Sequence, residues 1–148
     1  MCKDKEKVKV LFLCTGNACR SQIAQGWAKH LKSDVMQSFS AGVAPGMVNT
    51  HAIEVMAEAG VDISNHHSKH VDELKDIDFD YVVTVCDNAR EQCPVFAGDA
   101  TRIHRSFFDP SFMPGTLDEI MAAFRKLRDD MKAFIESMPE SLEIPSKD

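Results

Sequence analysis

The segment from Val8 to Leu31 constrains the fold more than any other part of the chain. It opens with an almost wholly apolar run, VKVLFL, whose length and composition are typical of a buried strand. A short polar loop follows, and apolar residues then recur at helical spacing. The segment therefore predicts a strand, a tight loop and a helix, with Cys14 at the carboxyl end of the strand and Arg20 at the start of the helix.

The loop contains the residue types needed to hold an anion beside a nucleophile. Gly16 adopts positive φ angles at little cost, and Asn17 tolerates them better than most residues. A loop that curls in this way turns its backbone N–H groups inward, next to the positive end of the helix dipole. Arg20 adds a planar donor fork, and such a field favours the thiolate form of Cys14. We also expect the Ser21 hydroxyl to donate to that sulfur.

A single cysteine after a strand is more often a small buried hydrophobe than a nucleophile. Here the combination of strand, C-x5-R-S loop and amphipathic helix favours the nucleophile. Cys19, inside the loop, is expected to pack rather than to react. The predicted anion-binding residues are those that follow the nucleophile: Thr15, Gly16, Asn17, Ala18, Cys19, Arg20 and Ser21.

The rest of the chain alternates predicted strands and helices. Such alternation is typical of an α/β domain with a parallel sheet and helices on both faces. We assign residues 1–137 to this single domain and predict that residues 138–148, with two prolines and no periodicity, form a flexible tail. Further strands are predicted within residues 34–39, 80–86 and 101–108, and further helices begin near Asn49 and Thr116.

Three chemically active side chains follow predicted strands. In open parallel sheets, ligands bind beyond the carboxyl ends of the strands. The sequence therefore places Cys14, Cys86 and Asp109 at one edge of the sheet. Asp109, which precedes Pro110, has two possible roles: it caps a turn, or it acts as a general acid that protonates a leaving oxygen.

Cys86 and Cys93 flank the polar segment DNAREQ and are either two unrelated thiols or a redox pair. If residues 87–93 form a helix, the two cysteines lie on one face about 10 Å apart. A disulfide needs α-carbons within about 7 Å, so a redox pair requires this segment to unwind. A zinc site formed with Cys14 and Cys19 is the metal alternative. It is disfavoured because the spacing is not C-x2-C and because a bound metal would silence the nucleophile.

Composition excludes several classes of function. The net charge of −6 argues against nucleic acid as a partner, and no apolar run approaches the ~20 residues of a membrane span. The five cysteines are odd in number and irregularly spaced, which favours catalytic or redox-active thiols over structural disulfides. We therefore expect a cytoplasmic enzyme.

These motifs resemble those of the low-molecular-weight protein tyrosine phosphatase superfamily. The version CTGNACRSQIAQGW is most similar to the thioredoxin-coupled arsenate reductases within it. The resemblance implies a four-stranded parallel sheet in the order 2-1-3-4. It also implies that Cys14 is the nucleophile, Arg20 binds the anion, Asp109 is the general acid, and Cys86 and Cys93 form a redox-active disulfide.

The activity implied by the resemblance is reduction of arsenate to arsenite by a monomer that thioredoxin regenerates, with no bound metal or cofactor. A tyrosine phosphatase is the alternative, but those enzymes lack the Cys86–Cys93 pair and usually carry a tyrosine where this chain has Ser111. A module that binds oxyanions without turnover is a further alternative.

Some members of the superfamily hold a potassium ion near the loop through Asn, Glu, Ser and Asp side chains. Asn17 and Ser40 match that set, but Gln25 replaces the Glu and Lys69 the Asp. Because a lysine ammonium could replace the ion, we expect little dependence on potassium.

Overall fold

The computed structural model describes residues 7–87 and 100–143. The strands form one parallel sheet in the order β2-β1-β3-β4. This arrangement confirms the predicted α/β fold and strand order. The strands are β1 (Val8–Cys14), β2 (Met36–Gly42), β3 (Tyr81–Thr84) and β4 (Thr101–His104), and the helices are α1 (Arg20–Lys32), α2 (Thr50–Glu58), α3 (Leu117–Glu136) and α4 (Glu140–Glu143).

Strand β1 lies at the centre of the sheet, between β2 and β3. Its residues from Val10 to Leu13 are fully buried, which explains why the strand is a nearly continuous apolar run rather than an alternating one. Residue Cys14 pairs with Gly42 of β2, and Leu13 pairs with Thr84 of β3. The carboxyl ends of these strands therefore meet at one edge of the sheet.

Two strand boundaries differ from the sequence-based prediction. Strand β2 continues through Gly42, whereas the prediction ended it at residue 39, because residues 40–42 pair with the last residues of β1. The buried Ser40 hydroxyl in this extension donates to Gln25 Oε1 at 2.6 Å, so its polar character is satisfied inside the protein. Strand β3 ends at Thr84, and Cys86 lies just beyond it.

Local signals account for the helix boundaries. Asn49 precedes α2, and its Oδ1 accepts hydrogen bonds from the backbone N–H groups of His51 and Ala52. Thr116 and Glu119 form the predicted capping box at the start of α3. In the described ranges, no helix is both long and apolar enough to cross a membrane.

The structure differs from the predicted flexible tail over residues 138–143. Met138 is fully buried, Leu142 is almost so, and the short helix α4 follows Pro139. Two apolar side chains four positions apart are enough to seat this segment on the core, although they are too few to show a period in the sequence. Residues 144–148 lie outside the described part of the chain.

Candidate active site

The predicted site residues Cys14, Arg20 and Asp109 line one pocket of about 500 Å³ at the carboxyl edge of the sheet. Cys14 is the last residue of β1 and is 2% exposed, and Arg20 is the first residue of α1. The loop between them forms the floor of the pocket. The remaining lining residues are Thr15, Gly16, Ala18, Cys19, Ala44, Gly46, Met47, Asn49, Ser111 and Phe112.

Residues 43–49 pack along the side of this loop that faces away from the pocket. Their backbone N–H groups donate to loop carbonyls at 2.8–3.2 Å. In a trans peptide the carbonyl and the next N–H point in opposite directions, so loop N–H groups whose carbonyls face outward are directed towards the pocket. This backbone arrangement is the one that the predicted anion-binding nest requires. The donor and acceptor pairs are Val43 to Cys14, Ala44 to Thr15, Gly46 to Gly16, and Asn49 to Ala18.

Asn17 carries the positive φ angle of the loop, at 48°, whereas Gly16 does not. Its fully buried side chain bonds in two directions: Nδ2 donates to Ser21 Oγ at 2.8 Å, and Oδ1 accepts from the Lys69 backbone N–H at 3.0 Å. Its carbonyl also accepts hydrogen bonds, one of them from the Ser68 hydroxyl at 2.7 Å. Asn17 therefore locks the curl of the loop, a role that its residue type alone did not reveal.

The Ser21 hydroxyl lies 2.9 Å from the sulfur of Cys14. Ser21 Oγ accepts a hydrogen bond from Asn17 Nδ2, which leaves the Ser21 hydroxyl hydrogen free to point at the sulfur. The amino end of α1 adds to this field: neither a side-chain cap nor an acidic residue occurs in its first turn within the described structure. Cys14 therefore lies between a hydroxyl group and an uncapped helix amino end, as the nucleophile hypothesis requires.

Arg20 and Asp109 form an ion pair with 3.2 Å between Nη2 and Oδ2. Arg20 Nη1 also donates to the carbonyl of Phe107, which orients the guanidinium over the pocket. The other Asp109 oxygen accepts from the Ser111 N–H and caps the 3₁₀ turn Pro110–Phe112. Both interpretations of Asp109 are therefore compatible with the structure, because one oxygen caps the turn and the other faces the site.

Cys86 lies next to the loop of residues 14–20, which we call the nucleophile loop after the role predicted for Cys14. Its side chain is buried, and its sulfur is 3.3 Å from the Thr15 hydroxyl, which belongs to the residue after Cys14. The edge of the sheet thus brings two reduced cysteines to one loop. Cys93 and the predicted helix over residues 87–93 lie outside the described residues beyond Asp87.

The sequence matches a known protein family. The family model described as low molecular weight phosphotyrosine protein phosphatase matches residues 9–142. The chain belongs to this family. The match confirms the resemblance that the loop and the Asp-Pro motif predict.

Several relatives of this phosphatase-family chain are described as arsenate reductases. Arsenate reductase 2 of Staphylococcus epidermidis is 40% identical over 132 residues, covering 89% of this chain and 96% of that protein. A solved arsenate reductase in the phosphate-binding state has a TM-score of 0.75 and 30% identity, covering 88% and 95% of the two chains. The thioredoxin-dependent arsenate reductase of Corynebacterium glutamicum has a TM-score of 0.60 and 25% identity, covering 90% of this chain and 64% of its own.

Cys19 is the second cysteine of the loop, and its surroundings differ from those of Cys14. It is 4% exposed, and burial raises its pKa, with the charges of Asp109 and Cys14 acting in the same direction. The protonated thiol is therefore its stable form. This supports the prediction that Cys19 packs inside the loop.

The potassium site known from some members of the family does not suit the residues present here. The Lys69 ammonium donates to the carbonyls of Ser40 and His67, each at 3.1 Å. The neutral Gln25 amide bonds to the Ser40 hydroxyl and to the Ser38 carbonyl. Lys69 thus stands beside Ser40, one of the two residues that match the ion-binding set, and the Ser40 hydroxyl is already bonded to Gln25.

Sequence reasoning missed several residues around this family site. Met47 and Phe112 line the pocket and are 85% and 92% exposed, so the rim of an anion site is apolar. They lie in loops, where periodicity gives no signal. His104, at the end of β4, contacts the residue that follows Cys86. Only the register of β3 against β4 reveals that contact.

Proposed function

We propose that this protein reduces arsenate to arsenite through three cysteines that act in sequence, with thioredoxin as the final reductant. The observation that carries the proposal is the second reduced thiol: Cys86 contacts Thr15, the neighbour of Cys14. Phosphate-ester hydrolysis needs a single nucleophile, whereas reduction needs a second sulfur to accept the first. The similarity to proteins described as arsenate reductases supports the same conclusion.

In the first step, arsenate binds as a tetrahedral oxyanion to the inward N–H groups of residues 15–19 and to the Arg20 guanidinium. The Cys14 thiolate attacks arsenic, so that a sulfur–arsenic bond forms and an arsenic–oxygen bond breaks. Asp109 protonates the departing oxygen, which leaves as water. The contact between Arg20 and Asp109 supports the location of this group, because it places the carboxyl beside the anion-binding side chain.

In the second step, Cys86 attacks the sulfur of Cys14. A Cys14–Cys86 disulfide forms and the sulfur–arsenic bond breaks. The electron pair of that bond stays on arsenic, which is reduced and leaves as arsenite, while the sulfurs are oxidised. The location of Cys86 beside Thr15 supports this role.

In the third step, Cys93 attacks Cys86, which forms a Cys86–Cys93 disulfide and releases the Cys14 thiolate. Thioredoxin then reduces this disulfide by thiol exchange. The support here is the CDNAREQC spacing and the similarity to a thioredoxin-dependent relative. Because the electrons come from thiols, the proposed reaction needs no bound metal or cofactor. We also propose that the protein acts as a monomer in the cytoplasm.

The test is steady-state arsenate reduction coupled to thioredoxin, thioredoxin reductase and NADPH oxidation. We expect Cys86→Ser and Cys93→Ser to lose multiple turnover, because each variant stops the relay at a stable intermediate. Cys2→Ser is the matched control, since it removes a thiol that the relay does not use, and it should keep the wild-type rate.

Hydrolysis of para-nitrophenyl phosphate distinguishes the phosphatase alternative. Cys86→Ser should retain slow hydrolysis of this aryl ester, because Cys14, Arg20 and Asp109 are intact. Unchanged arsenate reduction in the Cys86 or Cys93 variant would refute the relay. Rapid ester hydrolysis by a chain that turns over no arsenate would favour a phosphatase.

A further inference from the structure

His104 links the end of the sheet to the residue that follows the second thiol. It is the last residue of β4 and pairs directly with Thr84 of β3. Its Nδ1 is 2.8 Å from the Thr84 hydroxyl, and its Nε2 is 2.8 Å from Asp87 Oδ1. Asp87 immediately follows Cys86, so the imidazole spans both sides of that cysteine.

We call the two hydrogen bonds of His104, to Thr84 and to Asp87, the His104 bridge. The chemistry of the two partners decides which group donates in each bond. The Asp87 carboxylate only accepts hydrogen bonds, so His104 Nε2 carries the proton and donates. In the neutral imidazole, Nδ1 is then an acceptor, and the Thr84 hydroxyl shares its hydrogen between this nitrogen at 2.8 Å and the Ile103 carbonyl at 3.4 Å. Thr84 is almost fully buried and His104 is mostly so, whereas the Asp87 side chain is 69% exposed. The bridge is therefore anchored in the sheet and holds the first residue of the segment beyond Cys86.

We propose that His104 is a positioning residue that keeps Cys86 against the nucleophile loop until it attacks Cys14. This role rests on the proposed function, in which Cys86 must first attack inward and then meet Cys93. One hydrogen bond to an exposed carboxylate changes such an equilibrium by about three- to tenfold, which is enough to favour the inward position and weak enough to release it. The bridge leaves Cys14, Arg20 and Asp109 untouched, so it acts on the second step and not on the first.

Two substitutions of His104 separate its two contacts. The amide of His104→Gln extends about as far as Nε2 and can still donate to Asp87. The shorter amide of His104→Asn extends about as far as Nδ1 and keeps only the contact with Thr84. The proposal expects His104→Gln to behave like the parent and His104→Asn to behave like Asp87→Ala.

The second step is isolated in a Cys93→Ser parent that is mixed with arsenate in the absence of reductant. Acid quenching followed by mass spectrometry gives the rate at which the Cys14–Cys86 disulfide forms in a single turnover. We expect His104→Asn and Asp87→Ala each to slow this rate about three- to tenfold, and the double variant to be no slower than either single variant. Hydrolysis of para-nitrophenyl phosphate should stay at the parent rate, whereas general damage to the fold would lower both activities together.

A readout without arsenate tests the same bridge. In the reduced chain, iodoacetamide should alkylate Cys86 about three- to tenfold faster in His104→Asn than in His104→Gln. Equal disulfide rates and equal alkylation rates in these two variants would overturn the role of His104 and leave the relay intact. A parent that releases no arsenite would overturn the proposed function, and the alkylation comparison would then decide the bridge alone.

Discussion

Replacing Gly42 with alanine should displace the loop that binds the anion. A Cβ built at Gly42 lies 2.5 Å from the Thr15 carbonyl oxygen, 2.8 Å from Asn17 N and 3.0 Å from Gly16 C. All three atoms belong to the backbone of the loop, so no side chain can rotate away. Since ordinary contacts begin at 3.4 Å, the Thr15 oxygen must retreat by about 0.9 Å.

The size of the effect follows from that displacement. A shift of about 1 Å in reacting groups costs on the order of 100-fold in rate, because the near-attack geometry is lost. Overpacking of this kind also costs about 2 kcal/mol of folding free energy. For a chain of this size, that loss lowers Tm by about 4–8 °C. We therefore expect Gly42→Ala to fold and to lose about 99% of kcat/KM for arsenate.

The assay pairs coupled arsenate reduction with thermal unfolding, and Gly26→Ala is the matched control. A Cβ at Gly26 approaches Ile63 Cγ2 at 2.7 Å and Met56 Cε at 3.1 Å, so this substitution also overpacks the protein, but against buried side chains of the core and not against the loop. Overpacking of the core should lower Tm, an effect that the gain of up to about 1 kcal/mol in helix propensity partly offsets, while kcat/KM stays near the wild-type value because the loop is untouched. A Gly42→Ala protein with wild-type kcat/KM would refute the claim that close backbone contact at Gly42 sets the loop.

Other predictions concern ions, pH and helix capping. Exchanging sodium for potassium should leave kcat/KM for arsenate unchanged, because the Lys69 ammonium already contacts the Ser40 carbonyl; a several-fold gain would contradict this. Burial, reinforced by neighbouring lysines, lowers the pKa of His66 from 6.5 to about 4, so between these values the unfolded chain binds a proton that the folded chain excludes. The free energy of unfolding, measured in urea, should therefore fall as the pH drops from 6.5 towards 4, and less steeply in His66→Asn; equal slopes would disprove this origin. Asn49→Ala should cost about 1 kcal/mol in the same titrations, because α2 loses its cap, whereas Asn49→Asp should restore most of it.

Features that depend on neighbours in sequence were predictable. The loop after β1 and the cap at Thr116 follow from short patterns, whereas the strand order was implied by the family resemblance. The choice between Gly16 and Asn17 for the positive φ was not predictable, since both residues tolerate it. Hydrogen bonds from residues 68 and 69 to Asn17 decide that choice, and no local pattern reports contacts across such a separation.

The same limit applies to the electrostatics of the site. Asp109 was predicted to share an edge of the sheet with Cys14, but its ion pair with Arg20 spans 89 positions and depends on the position of the 3₁₀ turn. The contact of His104 with Asp87 depends on a register between two strands that carry no distinctive polar pattern. The seating of Met138 was missed because isolated apolar residues have no period to detect.

Residues 43–49 support the anion loop through main-chain amides alone, with Met47 standing out into solvent from the same stretch. A substitution at such a position leaves the hydrogen bond to the loop intact, since every residue except proline offers the same backbone N–H. Substitutions of side chains such as Met47 can therefore change the entrance of the pocket without changing the backbone of the loop that forms its floor. Lineages of this architecture could thus change which molecules reach the sulfur without re-evolving the sulfur's surroundings.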